Sequence, residues 1–122
     1  MREIKFRAWD EIEDKMINGD WNYDYFEICE EEGNMAIRVP SVNGGKTLLK
    51  DSFELMQFTG LKDKKGKEIY EGDIVTHETL GTEGGKYLIE YKDGLHNVDV
   101  ENISVVKVLG NKFENPELLK WV

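Results

Sequence analysis

Cysteine, proline, histidine and long apolar runs are all scarce in this chain of 122 residues. The single cysteine, Cys29, excludes an internal disulfide and a zinc site built from several thiolates. No apolar stretch approaches the roughly 18 residues that a membrane-spanning helix requires. The first ten residues, MREIKFRAWD, lack the unbroken apolar stretch of a signal peptide. We therefore expect a protein of a reducing cytoplasm with no membrane partner.

What the chain does contain is enough apolar surface for a core. Hydrophobic residues make up 39% of the sequence, and 13 residues are aromatic. A chain of this length fits one compact domain or two small lobes that share a core. We expect a single domain over residues 1–122, in which residues 1–50 and 51–122 could form sub-lobes.

Negative charge is concentrated in one short segment. Residues 9–32 contain ten acidic residues and one basic residue, whereas the acidic and basic residues of the remaining chain balance. Affinity for nucleic acid comes mainly from basic groups that displace counterions from phosphates, so this segment argues against ordinary nucleic-acid binding. A basic partner, a surface that imitates DNA phosphates, or solubility alone would each explain it. Its densest part is Glu30, Glu31 and Glu32.

The N-terminal half of the sequence has the alternation and turn signals of β-strands. Residues 3–9 alternate polar and apolar side chains, which predicts a half-buried strand with Ala8 inward and Arg7 outward. We expect this strand to pair with residues 15–17 in a hairpin. Residues 21–28 predict an aromatic strand and residues 35–39 a short apolar one. Residues 47–56 are ambiguous, and we favour a strand only at 54–58.

The C-terminal half predicts a small barrel. Residues 63–66 have the pattern of a tight hairpin turn with Gly66 left-handed, and Gly72 suits a bend that the Asp73 side chain would fix. Residues 79–85 contain three glycines and predict a mobile loop. Five strands between residues 54 and 109, the last a buried strand at 103–109, are typical of an SH3-like or OB-like barrel. Asn115 and Pro116 predict the start of a short C-terminal helix.

None of the candidate catalytic or cofactor motifs is convincing. Residues 43–47, NGGKT, resemble the end of a phosphate-binding loop, but Pro40 stands where that motif needs glycine. His77 and His96 are the only histidines, and we expect them to face solvent rather than a metal. Cys29 has acidic residues and no basic residue among its sequence neighbours to activate the thiol, so it is a poor nucleophile. We therefore expect no enzyme activity, no metal and no cofactor.

Two groups of side chains could contact a partner. Four lysines within six residues form the densest basic cluster, and Phe58 and Tyr70 lie near enough in sequence to stack on a nucleotide base. A solvated hairpin tip explains these lysines more simply. The aromatic residues of the first segment could form a partner surface, although packing in the core is the simpler role. The lysines are Lys62, Lys64, Lys65 and Lys67, and the aromatic residues are Trp9, Trp21, Tyr23 and Tyr25.

Three blocks of the sequence resemble the YopX family of small proteins encoded by phages and prophages. They are MREIKFRAWD, LMQFTGLKDKKGKEIYEGDIV at residues 55–75, and VLGNKFENPELL at residues 108–119. They occur in the family's order and cover about a third of the chain. The resemblance implies a β-rich protein of phage or prophage type from a bacterial host. It implies no catalytic residues.

Three functions are compatible with this sequence. The first is a non-enzymatic protein-interaction module, self-associating or bound to a phage or host protein. The second is an acidic phosphate mimic that uses Glu30, Glu31 and Glu32 to inhibit a host nucleic-acid-binding protein. The third is weak binding of single-stranded nucleic acid through the lysine cluster, although we expect nucleic acid to be an unlikely partner for so acidic a chain.

Overall fold

The computed structural model describes residues 5–18, 26–40, 45–92, 95–98 and 100–121. The chain divides into two compact units. The N-terminal unit is continuous, Phe6–Met56, and the C-terminal unit combines Met1–Lys5 with Gln57–Val122. Our expectation of a single domain with sub-lobes at 1–50 and 51–122 stays a prediction. Within the described residues the fold is mostly β, as the sequence predicts, and no helical segment there is long and apolar enough to cross a bilayer.

Short antiparallel strands build the N-terminal unit. Strand β1 lies between β2 and β6 in one sheet, and the order of the second sheet is β3-β4-β5. Ala8 of β1 lies opposite Ile17 of β2, which confirms the predicted N-terminal hairpin. The core consists of Ala8, Ile17, Ile37, Leu48 and Phe53. The strands are β1 (Phe6–Asp10), β2 (Lys15–Ile17), β3 (Glu27–Glu31), β4 (Asn34–Val39), β5 (Lys46–Leu48) and the start of β6 (Phe53–Lys62).

The predicted burial of the first strand is wrong. Arg7 and Trp9 are 6% and 8% exposed, and Asp10 is fully buried together with Ala8. Both faces of β1 are therefore covered, whereas a period-two pattern predicts one wet face. A polar side chain can be buried where it has partners, and the partner of Asp10 is Lys46, far along the chain. The burial of Trp9 agrees with packing in the core.

The acidic triplet Glu30, Glu31 and Glu32 lies on a β-hairpin. Strand β3 includes Glu30 and Glu31, and Glu31 pairs with Asn34 of β4 across a two-residue turn. Both turn residues have positive φ, 52° at Glu32 and 80° at Gly33, as a type I′ turn requires. Residues 21–25, where we predict aromatic side chains on a strand, lie outside the described residues. In the ambiguous segment, two strands form, β5 and β6, and not one.

Among its described residues, the C-terminal unit contains the rest of β6 and six further strands. Strands β12, β8 and β9 form one sheet in that order, β7 pairs with β6, and β10 pairs with β11. The core consists of Ile69, Val75, Ile89, Val98 and Val106. The strands are β7 (Glu68–Tyr70), β8 (Asp73–Thr79), β9 (Thr82–Leu88), β10 (Tyr91–Lys92), β11 (Leu95–His96) and β12 (Val106–Asn111). Two 3₁₀ helices, Val100–Val105 and Pro116–Trp121, complete it.

The two turns predicted within residues 55–75 are confirmed. Gly66 has φ of +84° at the β6–β7 turn, and Gly72 has φ of +86° between β7 and β8. The Asp73 side chain accepts a hydrogen bond from the Tyr70 amide at 2.8 Å. These turns were predictable because glycine and the Asx side chain act over two to four residues.

Two segments differ from prediction in the second half of the chain. The predicted buried strand at 103–109 starts only at Val106, because Val100–Val105 is a 3₁₀ helix. Gly110 lies within β12, where a Cβ atom would overlap the Asn115 side chain. The segment in which we predict a short C-terminal helix forms the six-residue 3₁₀ helix Pro116–Trp121 and not an α-helix.

The predicted mobile loop at 79–85 is a tight hairpin. Thr79 of β8 pairs with Thr82 of β9, so only Leu80 and Gly81 form the turn. Their φ angles are 53° and 79°, the signs of a type I′ turn. Glycine content alone suggested a loop, whereas Gly84 and Gly85 are strand residues whose carbonyl oxygens accept hydrogen bonds from the Thr76 hydroxyl.

Replacing Leu80 with Asn should therefore stabilise the protein. Leu80 is fully exposed, so its side chain contributes no packing, and it occupies a left-handed conformation that Asn adopts more readily. We expect the free energy of unfolding, measured by urea denaturation, to rise by about 0.5–1 kcal/mol. Leu80→Ala is the matched control, because it removes the exposed side chain and keeps the strain. An equal gain in both variants would contradict the explanation.

Candidate functional site

The four clustered lysines lie at the end of the β6–β7 hairpin, residues 62–67, which we call the lysine tip. Asp63 holds its backbone in place. One carboxylate oxygen accepts hydrogen bonds from the amides of Lys65 and Lys67 at 2.8 and 2.9 Å, and the other from the amide of Val108 at 2.9 Å. The Lys64 amide also donates to the Val106 carbonyl at 2.8 Å. The tip is thus fastened to β12 rather than loosely solvated.

The lysines of the tip are not equivalent. The Lys64 ammonium lies 2.8 Å from one oxygen of Glu78, and Lys107 lies 3.0 Å from the other. These two hydrogen bonds lower the pKa of Glu78 to about 2. Lys62, Lys65 and Lys67 make no side-chain ion pair with any described residue. The tip therefore presents three available cations.

The two aromatic side chains that the sequence suggests for base stacking, Phe58 and Tyr70, are not available to a nucleotide base. Phe58 and Tyr70 are 4% and 7% exposed, and their rings pack on each other at 5.4 Å between centroids. Their sequence positions suggest both as stacking residues. Their burial shows that this role is wrong, because base stacking requires an open ring face.

Part of the acidic segment is neutralised within the N-terminal unit. Lys46 forms an ion pair with the fully buried Asp10 and another with Glu13 at 2.7 Å. Burial raises the pKa of Asp10, but hydrogen bonds from Lys46 and from the amides of Glu13 and Ile12 outweigh burial and leave the pKa below its usual value. Burial lowers the pKa of Lys46, and its bonds to Asp10 and Glu13 outweigh that and raise it.

The same ion pairs explain why residues 43–47, which resemble the end of a phosphate-binding loop, contain a lysine. Lys46 is the lysine of that motif, and its ammonium contacts two carboxylates. A phosphate would have to displace both of them. Asn43 and Gly44 lie outside the described residues, and Gly45 has φ of +76°. The lysine thus has a structural role in this unit.

The triplet Glu30, Glu31 and Glu32 has no such neutralisation. All three residues are exposed on the β3–β4 hairpin. Their carboxylates make no ion pair and no hydrogen bond with any residue that the structure describes. The structure therefore separates the acidic segment into a part used internally, at Asp10 and Glu13, and a part left available to a partner.

An open cavity of about 330 Å³ lies beside this triplet. We call it the acidic cleft. Met35 and Leu49 contribute apolar surface and are 50% and 54% exposed. Lys50 also lines the cleft. The residues that define the cleft are Glu31, Glu32, Met35, Ala36, Leu49 and Asp51. The sequence singled out Glu31 and Glu32 but not Asp51, Met35 or Leu49, whose place in the cleft no local pattern signals.

The histidines and the cysteine form no catalytic or metal site among the described residues. The prediction that both histidines face solvent is wrong for His96, whose side chain is 3% exposed and lies 3.8 Å from Glu71. His77 is half-buried and 3.2 Å from the Tyr87 hydroxyl. Cys29 is a free thiol between acidic residues on β3. The described residues contain no group of three potential metal ligands.

Comparison with known proteins agrees with the sequence blocks. The family model described as YopX protein matches residues 5–120. A crystal structure of protein EF1440 from Enterococcus faecalis is 30% identical, with a TM-score of 0.68 over 98% of this chain and 100% of that one. Protein yopX from Bacillus subtilis is 19% identical, with a TM-score of 0.63 and the same coverage, which shows a shared fold. A search of curated proteins gave no match.

The family model spans nearly the whole chain. It includes the β3–β4 hairpin and the β8–β9 hairpin, which lie outside the three sequence blocks that resemble the family. The chain therefore belongs to the YopX family.

Proposed function

We propose that this protein is a non-enzymatic protein-interaction module of phage or prophage type, acting in the cytoplasm of a bacterial host. One observation carries the proposal: Met35 and Leu49 remain half-exposed in an open cleft beside carboxylates that nothing described neutralises. Exposed apolar surface rimmed by polar groups is typical of sites where proteins bind one another. Neither of the two relatives is named for an activity.

Charge distinguishes the two units as binding surfaces. Residues 6–56 contain twelve acidic and five basic residues, whereas the other unit contains thirteen acidic and eleven basic residues. Two acidic clefts would repel each other, so the cleft favours a partner surface of opposite sign.

We also propose that β6–β12 form a small barrel of SH3-like or OB-like kind. The hydrogen bonds that join the lysine tip to β12 support that arrangement.

A photocrosslinking amino acid at Leu49 tests the proposal. In bacterial cells that express the full chain, we expect a crosslinked protein from position 49 and none from Ile12. Ile12 is the matched control, because it is 69% exposed in the same unit but does not line the cleft. The crosslink should disappear in Met35→Asp. Equal crosslinking at both positions, or none at position 49, would overturn the proposal.

The phosphate-mimic function is the second candidate. The observation that favours it is that the carboxylates of Glu30, Glu31 and Glu32 have no ion-pair or hydrogen-bond partner among the described residues. If this function is correct, replacing the three glutamates with glutamine should abolish inhibition of a host nucleic-acid-binding protein. Binding of single-stranded nucleic acid by the lysine tip has less support, because Lys64 is engaged by Glu78 and the neighbouring aromatic rings are buried.

A further inference from the structure

The acidic cleft and the lysine tip are two available surfaces of opposite charge on one chain. The cleft offers Glu31, Glu32 and Asp51, and the tip offers Lys65 and Lys67 on its exposed turn. We propose that the occupant of the acidic cleft is the lysine tip of a second copy of this chain. This inference rests on the proposed function and names its partner.

The chemistry of the cleft suits lysine in both of its parts. A lysine side chain buries its aliphatic stem on apolar surface and keeps its ammonium in contact with water or a carboxylate. Met35 and Leu49 provide the apolar surface, and Glu31 and Glu32 provide the carboxylates. A cavity of about 330 Å³ is small among protein binding sites, which suits one or two side chains rather than a large ligand.

The backbone of the lysine tip is already ordered before any such contact forms. Asp63 fixes the amides of Lys65 and Lys67, and the Lys64 ammonium is already bound by Glu78. The backbone therefore loses little freedom when the tip binds, which removes one of the main costs of association. Lys65 and Lys67 remain exposed and have no ion-pair partner among the described residues.

The geometry of such a contact determines the kind of assembly. A tip in a cleft joins two different patches, so in a pair held by one such contact one chain keeps an unused cleft and the other keeps an unused tip. Contacts of this type close into rings or continue as open chains. We therefore expect species larger than a dimer to appear as the protein concentration rises.

Charge reversal with rescue in trans tests the inference. Glu31→Lys with Glu32→Lys, and separately Lys65→Glu with Lys67→Glu, should each weaken self-association at least about tenfold in sedimentation velocity. Mixing the two variants, one of them fluorescently labelled, should restore association to within about threefold of the unaltered chain. Raising the salt from about 50 to 300 mM should weaken association of the unaltered chain.

Matched controls separate the contact from net charge. Glu11→Lys with Glu90→Lys, and Lys15→Glu with Lys86→Glu, change the net charge equally at residues outside the cleft and the tip. They should leave association unchanged, and thermal melts should show that all variants fold. Unaltered association in the cleft and tip variants, or failure of the mixture to recover, overturns the inference.

The inference and the proposed function fail in different ways. If the unaltered chain is monomeric while position 49 crosslinks to another protein, the function stands and the second copy is excluded as the partner. If the chain is monomeric and position 49 gives no crosslink, both are overturned. If the chain associates regardless of charge reversal, only the tip-and-cleft contact is excluded.

Discussion

Replacing Asp63 with Ala is expected to lower the free energy of unfolding by about 3–5 kcal/mol. The Asp63 side chain is buried and accepts three backbone hydrogen bonds, two within the lysine tip and one from β12. Alanine would leave all three donors without this acceptor. Urea denaturation at neutral pH measures the loss. We also expect the amide of Val108 to exchange with solvent much faster in this variant.

Asp63→Asn is the matched control for that prediction. It keeps the shape and one acceptor oxygen, and its amide group would face at least one backbone donor. The loss of stability should therefore be smaller than for alanine but still measurable. If both variants were as stable as the unaltered chain, the described hydrogen bonds of Asp63 would not be what fastens the tip.

Replacing Asp10 with Ala should destabilise the N-terminal unit by about 2–4 kcal/mol. The substitution removes the acceptor of the Ile12 and Glu13 amides, at 2.9 and 3.0 Å, and leaves Lys46 with Glu13 as its ion-pair partner. Adding Lys46→Met should recover part of the loss, because it removes the cation that Asp10 neutralises. A double variant that is less stable than the additive expectation would contradict this coupling.

The Asp10 interaction should also depend on pH. The pKa of Asp10 is lower in the folded chain, so its contribution is complete above the unfolded-state pKa and is lost as the pH falls through the folded-state value. We expect the stability difference between the unaltered chain and Asp10→Asn to be constant near about pH 7 and to shrink below about pH 4. A difference that stays constant down to about pH 2 would show that Asp10 does not titrate in this way.

The parts of the fold that the sequence predicted correctly depend on nearby residues. Gly66 and Gly72 mark their turns because glycine adopts positive φ without steric cost, and the Asp73 side chain acts within three residues. The 79–85 hairpin was missed because Leu80, not an Asn or Gly, occupies a left-handed position. The 3₁₀ helix at 100–105 was missed because β-branched residues favour strands only on average.

The sequence predicted which charged residues belong to the candidate site, but not which of them form ion pairs. The sequence identified Glu30–Glu32 and the lysines, but it could not show that Lys46 neutralises Asp10 from 36 positions away. It could not show either that Glu78 binds Lys64, 14 positions along the chain. Ion pairs between distant residues follow from the fold, and no local pattern encodes them. The structure therefore decides which charges remain for a partner.

The hydrogen bond between Asp63 and Val108 of β12 also affects how the chain folds during synthesis. Asp63 is 45 positions ahead of Val108, so it is synthesised before the residue that it binds. The N-terminal unit, Phe6–Met56, is one continuous stretch and is available to fold first. A ribosome stalled just before residue 108 would carry a lysine tip that is not yet fastened. Limited proteolysis of such nascent chains should cut at the tip before that point and not in the completed chain.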